Sequence, residues 1–150
     1  MVKYIEFGNI FKLEGITSYA HGCNCAGAMG KGIAVQFKNM YPDMYKQYKI
    51  LCKQDDFVLG DVFEYHYGNG YIFNLGTQKT WRTRAELHAV EQSLNNMLNM
   101  ASELEVTKIA LPKIAAGLGG LNWEDVKKTI NKIAKDFPNI ELVVVENFKA

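Results

Sequence analysis

The chain has 150 residues, 48% of them hydrophobic and 22% charged, which suits one ordinary globular domain and excludes a disordered chain. Seventeen basic against sixteen acidic side chains leave a net charge of +1, without the large positive field of a general nucleic-acid binder. No apolar run approaches the roughly 18 residues needed to cross a bilayer, and the first residues show no signal-peptide stretch, so a cytoplasmic protein with no membrane partner is expected.

In chain order, Val2 to Phe7 alternates as a strand does and ends at Gly8. Ile16 to Cys23 predicts a second strand. Glycines at 22, 27, 30 and 32 punctuate the stretch after it. A helix opens at Ile33 and must stop near Tyr41-Pro42, because the residue before proline avoids the helical region. Asp43 to Lys53 predicts another short helix, whose tyrosines pack one face. Gly60 to Tyr67 and Gly70 to Leu75 flank Gly68-Asn69, the signature of a hairpin. From Thr83 to about Glu103, apolar residues recur at helical spacing. Lys108 to Pro112 is a short apolar strand. Asn122 can cap a helix running to about Asp136, with Glu124 and Asp125 at its positive end. Glu141 to Glu146 closes the pattern as a buried strand. No repeat or linker interrupts the chain, so residues 1–150 form a single domain. Strands alternating with helices around a hairpin imply an α/β sheet, mixed rather than purely parallel.

Cys23, Cys25 and Cys52 make no even-numbered disulfide framework. His21-Gly22-Cys23-Asn24-Cys25 lacks a second ligand pair at zinc-site spacing, so packed thiols are expected there and no metal. The Gln78 to Arg84 run is basic and aromatic; it reads either as a nucleic-acid contact or, more simply, as a solvated helix entry with Trp81 packed down.

Two glycine-rich loops carry the chemical signal. Gly27-Ala28-Met29-Gly30-Lys31-Gly32 and Ala116-Gly117-Leu118-Gly119-Gly120 each join a strand to a helix. In an open α/β sheet both project from the carboxyl ends of their strands, where ligands bind. Glycines there let backbone amides approach an anion closely, and two such loops facing one crevice suit a diphosphate. Either loop alone could be a mere tight turn, and neither spells a Walker motif or a dinucleotide fingerprint.

Together with Phe7-Gly8-Asn9-Ile10, the His21 to Cys25 run, Asn74-Leu75-Gly76-Thr77, and Leu111 through Glu124, these loops resemble the macrodomain family of ADP-ribose binders. The likeness covers nearly the whole chain. It extends to the compact subgroup of yeast ADP-ribose-1''-phosphate phosphatase, terminal ADP-ribose protein glycohydrolase and DNA-deADP-ribosylating antitoxins. It implies a three-layer α/β/α fold around a mixed sheet of about six strands. It places adenine near Asn9 and Ile10, where family members usually carry aspartate at the Asn9 position. Diphosphate binding falls to Gly30, Lys31, Gly32, Ile33 and Ala34 in one loop, and to Ala115, Ala116, Gly117, Leu118, Gly119 and Gly120 in the other. Thr77 joins the ligand-binding set, and Asn24 lies near the distal ribose, where reaction occurs. No cofactor is implied.

Relatives that use a lysine nucleophile carry it directly after the residue matching Thr77. This chain has Gln78 there and Lys79 one place later, which in regular strand reverses the side-chain face. Those relatives also carry aspartate where this chain has Gly119. His21 matches the histidine of the yeast phosphatase, so His21 and Asn24 are the expected catalytic pair, with a buried, inert histidine as the alternative. The expected activity is binding of ADP-ribose, or of a 1''-substituted derivative whose substituent is hydrolysed. ADP-ribosylated protein or nucleic acid is the partner the resemblance allows, and a non-catalytic ADP-ribose reader is the alternative.

Overall fold

The computed structural model describes all residues 1–150. Its elements are β1 (Val2–Gly8), a 3-10 turn (Ile10–Lys12), β2 (Tyr19–Asn24), α1 (Ala34–Met40), α2 (Pro42–Lys53), β3 (Val62–His66), β4 (Tyr71–Gln78), α3 (Leu87–Glu103), β5 (Lys108–Pro112), α4 (Trp123–Ala134) and β6 (Glu141–Phe148). The six strands form one sheet in the order β1-β6-β5-β2-β4-β3, parallel throughout except for β3 against β4.

Strand periodicity divides the core into two layers. Ala20, Phe73, Leu75, Leu111 and Val144 point to one face and pack under α3 and α4. Tyr19, Cys23, Ile72, Ala110 and Val143 point to the other and pack under α1 and α2. The valines of β6 are buried on both faces, as an interior parallel strand requires. This is the three-layer α/β/α arrangement with a mixed, six-stranded sheet.

Several element boundaries differ from the sequence reading: β4 runs on from Leu75 to Gln78 and β6 from Glu146 to Phe148, β3 is shorter at both ends, and three further shifts have a local cause. β2 starts at Tyr19 rather than Ile16, because Ile16 first closes a turn onto the Leu13 carbonyl. The second helix begins with Pro42 in its first turn, where the missing N–H costs nothing. α3 starts at Leu87 rather than Thr83. The amides of Ala85 and Glu86 donate to the carbonyls of Gly119 (2.8 Å) and Thr77 (2.9 Å), which holds this stretch extended against β4. Asn122 caps α4 as expected, its side chain accepting from the Asp125 amide at 3.3 Å.

Candidate functional site

A cleft of about 630 Å³ opens across the carboxyl ends of β6, β5, β2 and β4, within the usual size range for small-molecule sites. Its first wall is the loop between β2 and α1. Asn24 builds this loop: its Oδ1 accepts from the amides of Ala26 (3.0 Å) and Ala28 (3.2 Å), and its Nδ2 donates to the Ala28 carbonyl at 2.8 Å. The Tyr48 hydroxyl, from α2, donates to the Asn24 carbonyl at 2.6 Å. The polar atoms of Asn24 are therefore committed to the loop, although the residue lines the cleft. Beyond it, Gly30, Lys31, Gly32, Ile33 and Ala34 all face the cleft.

The second wall is the loop between β5 and α4. Ala115, Gly117, Leu118 and Gly119 line the cleft; Ala116 and Gly120 do not. The Gly120 amide turns back to the Gly117 carbonyl, and its own carbonyl accepts from the Arg84 guanidinium at 2.8 Å. None of the amides of Gly30–Ala34 or Ala115–Gly119 donates a hydrogen bond within the chain. Nine of these ten residues, all but Ala116, line the cleft, so two facing loops carry nine backbone donors free for an external acceptor.

At one end of the cleft lie Ile10, Val145 and the half-exposed ring of Phe148. Asn9 is absent from this wall, because its Oδ1 caps the 3-10 turn by accepting from the Phe11 amide at 2.9 Å. Glu146 also lines this end, oriented by the Trp123 indole, which donates to its Oε2 at 2.8 Å. At the other end lie Gly22, Thr77 and Gln78, with Trp81 at the mouth. Trp81 is 57% exposed, so it is not packed down as the simpler sequence reading has it; the Arg82 guanidinium lies 4.5 Å from its ring centroid. Lys79 is exposed and lies outside the cleft wall, one strand position away from Gln78.

His21 also lies outside the wall. Its strand parity matches Tyr19 and Cys23, which turns it beneath α1, where its ring stacks on Phe37 at 4.1 Å. The ring is fully buried, and its Nε2 meets Asn74 Oδ1 at 2.6 Å. Asn74 Nδ2 donates to the Phe63 carbonyl at 3.0 Å, which leaves Oδ1 as acceptor and puts the histidine proton on Nε2. Burial lowers the pKa of His21 to about 4, against the raising effect of that hydrogen bond. At neutral pH the imidazole is therefore uncharged, and it is separated from the cleft by the Cys23 side chain, whose Sγ lies 3.5 Å from Nε2 and which lines the cleft.

The cysteines are thiols, not thiolates. Burial pushes Cys23 well above its ordinary range and Cys25 up to about 12, with a lesser contribution from Cys52. His66 stacks on Tyr71 and His88 pairs with Glu86 at 2.8 Å, both away from the cleft.

Sequence reasoning passes over Lys113, Val145, Glu146 and Phe148 as cleft residues. Each sits at or just beyond the carboxyl end of a parallel strand, so the rule that places ligands there could have found them.

The Macro domain family model matches residues 20–130. The chain belongs to the macrodomain family. It is 36% identical to a DNA ADP-ribosyl glycohydrolase of Thermus aquaticus, over the whole chain but only 43% of that protein. It is 31% identical to an ADP-ribose 1''-phosphate phosphatase of Candida albicans, over 96% of the chain and 98% of the relative. Among solved structures, the macrodomain of Mycobacterium tuberculosis DarG superimposes with a TM-score of 0.90 at 31% identity, covering 97% of each chain. The chain thus spans less than half the length of the Thermus glycohydrolase, and matches the macrodomain portion of that class.

Proposed function

We propose that this macrodomain binds ADP-ribose through its diphosphate and releases it from a group attached at the 1'' position. The observation that carries this reading is the set of nine unpartnered amides on two facing cleft loops, the kind of donor surface that suits the oxygens of a diphosphate. With the diphosphate anchored there, adenine packs between Ile10, Val145 and Phe148. Glu146 and Lys113 are the charged groups near that end, and Asn9 contributes by shaping the turn rather than by touching the base. The distal ribose then points towards Gly22, Thr77 and Gln78, and its substituent leaves the cleft past Trp81.

The reaction adds water across the bond at the 1'' carbon and returns free ADP-ribose and the unmodified acceptor. Holding the sugar by its diphosphate supplies orientation, the main lever of a site without an ionised group at the reacting end. With its Nε2 donating to the Thr83 carbonyl, Gln78 keeps its Oε1 to accept from a water, and Asn24 positions the loop beside the sugar. The exposed Trp81 with Arg82 stacked on it favours a substituent with a flat base, that is, ADP-ribosylated nucleic acid. The likeness to the Thermus DNA ADP-ribosyl glycohydrolase supports the same choice.

A second reading, a non-catalytic reader of ADP-ribose, is favoured by one observation. Gln78 stands on the wall where the lysine of catalytic relatives is expected, and Gly119 lacks their carboxylate. Incubation with ADP-ribosylated DNA, ADP-ribosylated protein and ADP-ribose 1''-phosphate decides between them. Release of ADP-ribose from the DNA substrate is the expected result. Tight binding of all three without turnover would establish the reader.

A further inference from the structure

Behind the loop that walls the cleft, α1 and α2 enclose a second, more open groove of about 730 Å³. Lys46, Lys49 and Lys53 occupy positions i, i+3 and i+7 of α2, which places them along one face. Lys38 reaches in from α1, and the Tyr45 ring lies between, 5.5 Å from the Lys38 ammonium and 5.3 Å from that of Lys49. No carboxylate lines the groove, and none of the four lysines is ion-paired. Residues 31 to 53 contain five lysines against the single acid Asp43, so in a chain of net charge +1 the remainder is net negative. The lysines of α4 differ: Lys132 pairs with Glu91 at 3.4 Å, and Glu124, Asp125 and Asp136 intersperse the others.

The groove adjoins the cleft. A Cβ at Gly27, on the cleft-wall loop, would stand 3.9 Å from Lys49 Cα and 3.6 Å from Cys52 Cβ, so that loop rests on α2.

We propose that the α1–α2 groove seats the phosphodiester backbone of a single-stranded nucleic acid, the strand that presents its ADP-ribosyl group to the cleft. Three lysines spread over seven helical residues span about 10 Å, roughly three phosphate spacings of one strand. An aromatic ring set among ammonium groups is the pairing that single strands use, stacking combined with charge neutralisation; an acidic peptide has no need of the ring. The identity of the strand as ADP-ribosylated rests on the function proposed above, whereas its attraction to the groove does not require the modification.

The test uses unmodified, fluorescein-labelled single-stranded DNA and RNA oligonucleotides, with binding read by anisotropy across a salt series. The expected result is binding whose logarithm falls with log salt at a slope of about −3, the loss of counterions from phosphates met by the four groove lysines at about −0.7 each. The triple variant Lys46→Glu, Lys49→Glu, Lys53→Glu should weaken binding at least tenfold and flatten the slope. Its ADP-ribose affinity, measured by calorimetry, should stay within twofold, which shows that it is folded. A control with the same charge change on α4 and its C-cap, Lys127→Glu, Lys128→Glu, Lys135→Glu, should keep most of the oligonucleotide binding. Equal loss in both variants would overturn the proposal in favour of bulk charge. Failure of the wild type to bind either oligonucleotide would also overturn it, as would stronger binding to phosphatidylserine vesicles than to both. Because the probe carries no ADP-ribose, a loss confined to the α2 variant supports the groove even if the cleft fails to bind ADP-ribose. DNA and RNA arms that differ tell which strand is preferred.

Discussion

Leu118 reaches across the cleft mouth to Gly32: a Cβ built on Gly32 would stand 3.3 Å from Leu118 Cδ1. The two amide-bearing loops therefore meet above the cleft, and Leu118, 69% exposed, is the bridge. Gly32 also has a φ of +63°, which a β-branched side chain resists. Gly32→Val should abolish ADP-ribose binding in calorimetry, by straining the loop and pushing Leu118 off its seat. Leu118→Ala should leave stability within about 0.5 kcal/mol, as for an exposed side chain, and should raise the ADP-ribose dissociation rate several-fold in stopped-flow measurements. An unchanged off-rate would show that the bridge does not retain the ligand.

Gln78 and Lys79 supply a second expectation. Gln78 is on the wall and Lys79 is outside it. Lys79→Ala should leave release of ADP-ribose from DNA within twofold of wild type. Gln78→Lys returns an amine to the cleft and should raise that release at least tenfold, read as free ADP-ribose by chromatography. Trapping of a covalent sugar adduct on Lys79 of the wild type would reverse this assignment.

The pH dependence of stability stems from His21. Its folded pKa of about 4 lies below the ordinary value of 6.5, so the unfolded chain takes up a proton first as pH falls. The neutral ring's contribution is whole above pH 6.5 and is lost progressively down to pH 4, by an amount on the order of 3 kcal/mol from this group. Denaturant melts at pH 7 and pH 4 should show this loss in the wild type. His21→Gln should show a flatter profile, while ADP-ribose release per folded molecule at pH 7 survives. A stable variant with release reduced a hundredfold would return the ring to the mechanism.

Trp81 offers a test of substrate class. Stacking a base on an aromatic ring is worth about 1–3 kcal/mol, or roughly five- to over a hundredfold. Trp81→Ala should lower kcat/KM for ADP-ribosylated DNA by about tenfold, with affinity for free ADP-ribose within twofold. Loss of both together would mean that the ring braces the cleft instead.

Much of the fold is legible because it rests on local rules. Lys108–Pro112 forms a strand with the bounds its apolar run predicts, Asn122 caps the helix that its spacing suggests, and the glycines at 68 and 70 frame the hairpin. The two loops are legible as a pair, since glycines joining strand to helix at two neighbouring strand ends bring two sets of amides to one crevice, where a single such loop could be only a turn. Illegible are features set by contacts distant in sequence. The direction of His21 depends on which helix covers its face of the sheet. The late start of α3 depends on Gly119 and Thr77 taking the amides of Ala85 and Glu86. The exposure of Trp81 depends on no other element covering the mouth, which composition cannot reveal. Family position points Asn9 at the ligand, but its neighbour Phe11 claims the side chain first.

The wall residue Gln78 and the loop residue Gly119 also bear on descent. Each glutamine codon lies one base from a lysine codon, and two of the four glycine codons lie one base from aspartate, so at the level of the gene each departure can be reversed in one or two steps. The fold treats them unequally. Position 78 already carries a long side chain on ordinary strand backbone, whereas a Cβ at Gly119 would meet the Ala115 carbonyl oxygen at 2.5 Å, so an aspartate requires the loop to be rebuilt first. In a lineage carrying this loop, selection for the lysine-and-aspartate pair would therefore recover the amine early and the carboxylate late, and sister sequences should show lysine with glycine far more often than glutamine with aspartate.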